Sequence, residues 1–465
     1  MMLNLHVPAH CPNEVRWIIG VIFGEFLGIA CNIIEGEQEY YRLEFSGKTL
    51  HLADCFFNKA SKAWLQHSSL PKMPLASWDV TTSGLDVPLV AQHFPIISGK
   101  PEINITEGHI SLGLDVFGST FFMLSRYEEV VKSDRDQHGR FPASASLAFQ
   151  VGFLDRPIVN EYLEILWSCM KLLWPDLKRK QRNFQMRVSC DVDHPYQCGI
   201  KNPVRQLENI VRDLIRRKSP LQAVKSTINY FASKSGNFSF DSNYARFNWM
   251  MDMNEKAGNK VAFYFLAGRT SQELDGCYSL DEPVIRRLMR SIHERGHEIG
   301  LHPSYNSYQS VEQLKSEANN LRRVMDDEGI HQDILGGRQH YLRWDARLTP
   351  GNWEKAELAY DSTLSFSDCA GFRCGTCYEY PLYDLIARRQ LNVFERPLVL
   401  MESSIISKQY MGLGYSEISL EKMLGLYERC RQFDGQFTLL WHNSHFSNPE
   451  DESFYKKLVM GAPTT

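Results

Sequence analysis

From residue 185 onward, short apolar runs alternate with amphipathic helical patterns. The runs fall at 185–190, 260–266, 298–302, 334–338, 394–401 and 436–442. Each is brief and reads as a buried strand, and strands that alternate with helices in this way belong to parallel sheets covered by helices. Helix signals lie between them: Ser279-Leu-Asp-Glu282 and Ser310-Val-Glu-Gln313 read as capping boxes, with Gly296 and Gly329 as the stops. Six βα units predict an α/β fold, a distorted (β/α) barrel rather than an open dinucleotide-binding sheet.

Residues 1–150 lack this rhythm. Strand-like pieces at 40–45, 49–52 and 109–115 alternate with loops holding Pro71, Pro74 and Pro88, and a helical pattern follows at 117–129. The expected organisation is a smaller α+β domain over 1–150, of unassigned role, and a barrel over 151–465. A chain of 465 residues buries cores of this size without disulfides. Its eleven cysteines are odd in number and scattered, as reduced thiols are. Cys374-Gly-Thr-Cys377 has ligand spacing but no second pair, so two thiols in a glycine turn is the better reading.

The net charge of −4, with no long basic block, argues against a nucleic-acid groove. Residues 1–14 lack the positive patch, apolar core and cleavage site of a signal peptide, which leads to the expectation of a cytoplasmic protein. Arg16 and Glu25 interrupt the apolar stretch 15–34, which reads as a buried helix running into a strand rather than a membrane span. An insertion at 196–241 separates the first two predicted strands. Within it, Leu207, Ile210, Val211, Leu214 and Ile215 recur at helical spacing opposite Arg205, Arg212, Arg216 and Lys218. Such a helix can lie on an anionic membrane, although solvated faces of this composition are far commoner.

The polar residues that end the apolar runs carry the chemistry, because strand ends hold side chains rigidly over one shared face. Asp191 and Asp193, two residues apart, project on the same side of an extended chain. One can bind a cation while the other takes a proton, yet an Asp-x-Asp pair alone is common by chance. His302 ends its strand just before Pro303 and is a natural metal ligand; His297, five residues earlier, reads as a core or supporting histidine. Arg338 follows Gly336-Gly337 and can brace a catalytic carboxylate. His442 ends the run 437–441 and is poised as a general acid or base.

In this order the segments resemble the motifs of the polysaccharide deacetylases, the NodB-homology or carbohydrate esterase family 4 group, over roughly 185–448. Ser189-Cys190-Asp191-Val192-Asp193 is similar to the family's Thr-Phe-Asp-Asp, and Gly296-His297-Glu298-Ile299-Gly300-Leu301-His302-Pro303-Ser304-Tyr305-Asn306 to its Gly-His-Glu-Ile-Gly and His-Ser/Thr-x-x-His. Arg338-Gln339-His340-Tyr341 resembles Arg-x-Pro-Tyr, and Leu439-Leu440-Trp441-His442 resembles Leu-x-His. The stretch 371–377 is similar to an uncharacterised branch with an extra N-terminal domain.

The resemblance implies Asp191 as general base, Arg338 as its brace, the Tyr341 amide as oxyanion donor, and His442 as general acid, with Asp361 as the acid supporting it. It implies a metal held by Asp193, His302 and Asn306. Asparagine stands where the family has its second histidine, so His340 or water is the alternative third ligand. The expected ion is zinc, with cobalt or manganese as substitutes, and the expected reaction is N-deacetylation of a sugar during surface polysaccharide biosynthesis. Two other readings stay open: a metal-dependent glycosyltransferase using Asp191 and Asp193 for a nucleotide sugar, and a catalytically degenerate carbohydrate-binding protein.

Overall fold

The computed structural model describes residues 2–461 apart from most of 198–219. The protein is mixed α/β with several sheets, and the two halves of the chain build theirs differently.

In the first half, strands β1 (Leu3–Pro8), β2 (Cys31–Gly36), β3 (Tyr40–Phe45) and β4 (Lys48–Ala53) form one sheet with β7 (Gly99–Thr106) and β8 (His109–Leu114), in the order β2-β1-β3-β4-β8-β7. A two-stranded ribbon, β5 (Ala76–Asp79) with β6 (His93–Ile96), stands beside it. Burial alternates along these strands: Leu3, Leu5 and Val7, then Tyr41 and Leu43, then Leu50 and Leu52, then Ile110, Leu112 and Leu114 face inward. One covered face is the rule for such a sheet. The helix Val116–Leu124 lies against it, with Phe117 edge-on to Tyr41.

The helix Ile158–Leu173 belongs with this sheet too. The Tyr162 hydroxyl accepts from the Ile97 amide, and the Trp174 indole just past the helix donates to the Phe45 carbonyl. The 15–34 stretch is a buried helix, Pro12–Ile19, widening into π-helical turns before β2, as its composition predicts.

The second half holds a nine-stranded sheet. Its strands are β9 (Gln185–Val192), β10 (Val261–Leu266), β11 (Glu298–His302), β12 (Gly336–Gly337), β13 (Tyr360–Asp361), β14 (Tyr380–Asp384), β15 (Arg389–Glu395), β16 (Leu400–Met401) and β17 (Gln436–Leu440). Their order is β14-β15-β13-β12-β11-β10-β9-β17-β16, and every pairing is parallel except β14 with β15. All six residues of β10 are buried, as a strand covered on both faces should be.

Of the expected distorted (β/α) barrel, a complete barrel is not shown: among the described residues no pairing joins the edge strands β14 and β16. The edges nonetheless come close together. The Arg396 amide donates to Asp361 O on β13, and three residues later the Val399 amide donates to Thr438 O on β17. Pro397 lies between them and has no N–H to extend the ladder, so the predicted single strand 394–401 becomes two strands, β15 beside one edge strand and β16 at the other edge.

β12 makes room by sequence. A Cβ on Gly337 would fall on the Leu301 carbonyl, and one on Gly336 would fall on the Tyr360 ring. Of the helix starts, Ser310 caps Val311–Asp327 by accepting from the Gln313 amide. Ser279 instead shapes a turn ahead of Pro283–Glu294, whose N-cap is Glu282.

Apolar contact is continuous between the halves, and buried charge reinforces it. Glu129 accepts from Arg126 Nε at 2.8 Å and from Arg373 Nε at 2.9 Å. Burial works against that carboxylate, but the two guanidinium groups outweigh it and bring its pKa down to about 2. Removing one partner of such a buried set costs roughly 3–5 kcal/mol. No described helix is long and apolar enough to cross a membrane.

Candidate active site

Because β9 to β13 run parallel, with β17 alongside, their C-terminal ends open on one side of the sheet. Asp191 lies at the end of β9 and Asp193 just beyond it; His302 ends β11; Arg338 follows β12; His442 follows β17. Asp191, Asp193, His302 and His442 line one cavity of about 570 Å³, together with His194, His340, Tyr341, Tyr410 and His445. His138 and Arg140, from the first half of the chain, reach the same wall. The Arg140 Nη1 donates to the Tyr341 carbonyl at 3.0 Å, bracing a backbone held left-handed at Tyr341 (φ 61°) and Leu342 (φ 54°).

Two imidazoles and a carboxylate meet at the centre of this cavity. Asp193 Oδ1 lies 3.2 Å from His302 Nε2 and 3.4 Å from His340 Nε2. The other ring nitrogens settle the tautomers. His302 Nδ1 is 2.6 Å from the Arg338 carbonyl, and His340 Nδ1 is 2.9 Å from Asp275 Oδ1.

A carbonyl only accepts, and Asp275 is a carboxylate: burial disfavours its charge, but the His340 bond and backbone N–H groups bring its pKa to about 2. Both Nδ1 atoms therefore carry a proton, so the neutral form of each ring presents an Nε2 lone pair to Asp193 Oδ1, a buried atom with no hydrogen bond in the geometry. Three Lewis bases facing each other call for a cation, and one carboxylate with two imidazoles braced by outer partners is a zinc-type donor set. The surroundings call for positive charge as well. Burial disfavours a charged His302, yet Asp191 and Asp193 outweigh it and raise its pKa.

Beside this cluster, Arg338 lies fully buried behind Asp191, with Nη1 at 2.8 Å from Asp191 Oδ1 and Nε at 2.8 Å from the Ser362 carbonyl. On the other flank, His442 Nδ1 is 2.6 Å from Glu402 Oε1, and its Nε2 points inward, 3.7 Å from Asp193 Oδ2. Burial disfavours the His442 imidazolium, but the Glu402 charge outweighs it and raises the pKa to about 10. His445 bonds the same glutamate oxygen at 2.6 Å from a half-exposed position.

Two expected residues lie elsewhere. Asn306 is exposed; its Oδ1 accepts from Arg343 Nη1 at 3.1 Å, and its amide donates to the Thr270 carbonyl. The turn after Pro303 carries it away from His302, and His340 takes the place by Asp193. Asp361 is buried behind the site, bound by Thr363 and by the Trp344 indole, and it does not touch His442; Glu402 does.

His297 sits at the other end of its strand, accepting from the Val261 amide. The pair Cys374 and Cys377 is buried and free of disulfides. Asp275, Glu402 and His445 were not foreseen. Glu402 has the one usable signal, a lone acid directly after the apolar run 398–401.

Residues 3–175 match the profile of a family described as a family of unknown function (DUF7033). No curated protein matches the chain. Among solved structures, a Mycobacterium smegmatis protein assigned as a polysaccharide deacetylase is similar: 14% identical, with a TM-score of 0.38, covering 62% of this chain and 84% of its own. At that level the likeness assigns no function.

Proposed function

We propose that the protein is a metal-dependent hydrolase that removes an acetyl group from the nitrogen of an amino sugar. The observation that carries this is the meeting of Asp193 Oδ1, His302 Nε2 and His340 Nε2 in one cavity, flanked by the Asp191–Arg338 and His442–Glu402 pairs. Amide hydrolysis needs an electrophilic centre, a base for water and an acid for the departing amine. One candidate for each lines this wall.

Asp193, His302 and His340 would hold the ion, zinc by their donor types, with cobalt or manganese as substitutes. When bound, it supplies Lewis acidity to the substrate carbonyl and to water. Asp191 accepts a proton from the attacking water, and Arg338 fixes the orientation of that carboxylate. His442 carries a proton on Nε2 into the cavity because Glu402 holds its Nδ1, and it delivers that proton to the leaving nitrogen. The Tyr341 amide serves the oxyanion. General acid–base steps of this kind contribute about 10²–10⁴-fold each.

The sugar, and a place in surface polysaccharide assembly, come from the motif resemblance. The cavity volume suits one or two sugar rings by size, within the roughly 300–1,000 Å³ of small-molecule sites. We place the boundary between the two units near residue 175, beyond the helix that packs on the first sheet.

The test is metal content by plasma mass spectrometry on untagged protein, wild type beside His302→Ala, followed by acetate release from N-acetylated sugars. About one zinc, cobalt or manganese per chain, lost in the variant, together with acetate release supports the reading. No bound metal after zinc addition overturns it.

A further inference from the structure

The chemistry proposed for the cavity leaves unexplained why a loop from the first half of the chain reaches its wall. Residues 136–140 form a tight turn that Asp136 holds shut. Its Oδ1 accepts from the His138 and Arg140 amides at 2.8 and 2.9 Å, and its Oδ2 accepts from Arg140 Nε at 2.8 Å. The Gly139 amide donates to the Asp136 carbonyl. A Cβ on Gly139, whose φ is 73°, would come within 3.2 Å of the Tyr308 hydroxyl. The turn is thus shaped to lie close against the second half.

What it touches there is selective. Tyr305 lies three residues past His302, and Tyr341 directly follows His340, so these segments carry both candidate ligand imidazoles. On the first, the Tyr305 hydroxyl lies 3.0 Å from His138 Nδ1. On the second, the Tyr341 carbonyl accepts from Arg140 Nη1 at 3.0 Å, and the Tyr341 and His138 rings pack with centroids 5.0 Å apart. Arg343, three residues past His340, ties all three pieces together. Its Nε donates to the His138 carbonyl at 2.7 Å and its Nη1 to the Tyr305 carbonyl at 2.6 Å. The guanidinium is buried between the Tyr305 and Tyr308 rings, 3.9 and 4.0 Å from their centroids. Holding the two halves together does not require this turn, because Glu129 bonds Arg373 and the Val130 carbonyl accepts from Arg347 earlier in the same region.

We infer that the turn 136–140 is a positioning element of the active site, which fixes the His302 and His340 segments relative to each other and holds the Tyr341 backbone in its left-handed conformation. A non-glycine residue stays in that conformation only where its surroundings over-determine it, and Arg140 supplies the constraint at Tyr341. Its planar fork reaches Asp136 and the Tyr341 carbonyl at once, which a lysine cannot do. Residues 3–175, which match a family of unknown function, thereby supply a working part of the catalytic centre rather than an attached module. The inference rests on the proposed metal site and adds to it the role of the first half of the chain.

The experiment measures zinc affinity of the full chain by competition with a chelator, and the visible spectrum of bound cobalt, for wild type, Arg140→Gln, Arg140→Lys and Asp136→Asn. Thermal unfolding reports which variants fold. Asp136 is not among the residues lining the cavity, so Asp136→Asn loosens the turn without altering the wall, and it decides the matter if the Arg140 variants do not fold. Each folded variant should bind zinc about tenfold or more weakly and shift the cobalt spectrum, which reads ligand geometry. On the substrate that wild type hydrolyses, kcat should fall about 10²-fold with KM within about twofold, the mark of misplaced groups rather than of lost substrate contacts. Arg140→Lys should not rescue these losses, whereas a charge needed only for folding would be restored by it. The inference is overturned if folded Arg140→Gln or Asp136→Asn keeps the wild-type zinc affinity and cobalt spectrum. Wild type that binds no zinc overturns the metal site itself, and the inference with it, so the two failures are told apart.

Discussion

Two histidine clusters share one cavity wall and are built on opposite principles. Around Asp193, the Nδ1 protons of His302 and His340 are spent on Arg338 O and Asp275, so the bare Nε2 atoms stand 3.2 and 3.4 Å from a carboxylate oxygen. Around Glu402, the Nδ1 atoms of His442 and His445 themselves contact one oxygen at 2.6 Å each. That distance is a charge-assisted hydrogen bond, with no room for an ion between. Both groups contain an acid and two histidines, so composition alone does not separate them. The ring nitrogens do: on the proposed reading the first group holds a cation, and the second holds and delivers a proton.

The largest expected effect breaks the first cluster. His340→Ala should abolish tight metal binding and acetate release together, while leaving the His442–Glu402 bond in place. Titration with zinc, followed by mass spectrometry after desalting, checks it. Retention of one full equivalent by His340→Ala would return the third ligand to another residue.

Glu402→Gln should break the second cluster alone. Metal content stays near one per chain, and kcat falls by about 10²–10³, as loss of a tuned general acid implies. The pH dependence follows from the sign of the shift. In metal-free protein His442 is raised from 6.5 to about 10, so its contribution to stability is complete below about pH 6.5 and disappears as pH rises through about 10. In Glu402→Gln that alkaline loss should vanish, which denaturant midpoints measured from pH 6 to 11 would show. A wild-type alkaline slope in the variant would remove Glu402 from this role.

A smaller effect is expected one bond out from the metal. Asp275→Asn keeps the shape but weakens the hold on the His340 Nδ1 proton, and partners of this kind are worth about 10–100-fold in metal affinity. Competition with a chelator of known affinity measures it, and an unchanged affinity would mean that the ring is fixed by packing alone.

The contrast also explains what the sequence disclosed. Asp191, Asp193, His302 and His442 were legible because each stands where a short strand-like run turns polar, and parallel strands bring such ends together. Strands of two residues, Gly336–Gly337 and Tyr360–Asp361, have no period to read. Asp361 was therefore placed by motif order, and it turned out to face Trp344 rather than His442. Glu402 follows β16, which the single strand expected over 394–401 concealed, and Asp275 lies in a loop with no pattern at all. In the first sheet β3, β4 and β8 were legible, because alternation at 40–45 and 109–114 survives burial on one face only, whereas β1 and β7 were not expected.

The smallest effect is the sharpest test of how the site differs from its motif. Asn306 occupies the position at which the motif resemblance places a metal ligand, yet its carboxamide is already used, accepting from Arg343 and donating to Thr270. Those bonds lie at an exposed turn, where a hydrogen bond is worth about 1 kcal/mol. Asn306→Ala should therefore lower stability by roughly that amount and leave metal affinity within about twofold of wild type. If Asn306→Ala instead weakened metal binding as much as His340→Ala, the loop would have to swing inward when the ion binds. The comparison between the two clusters would then hold only for the metal-free protein.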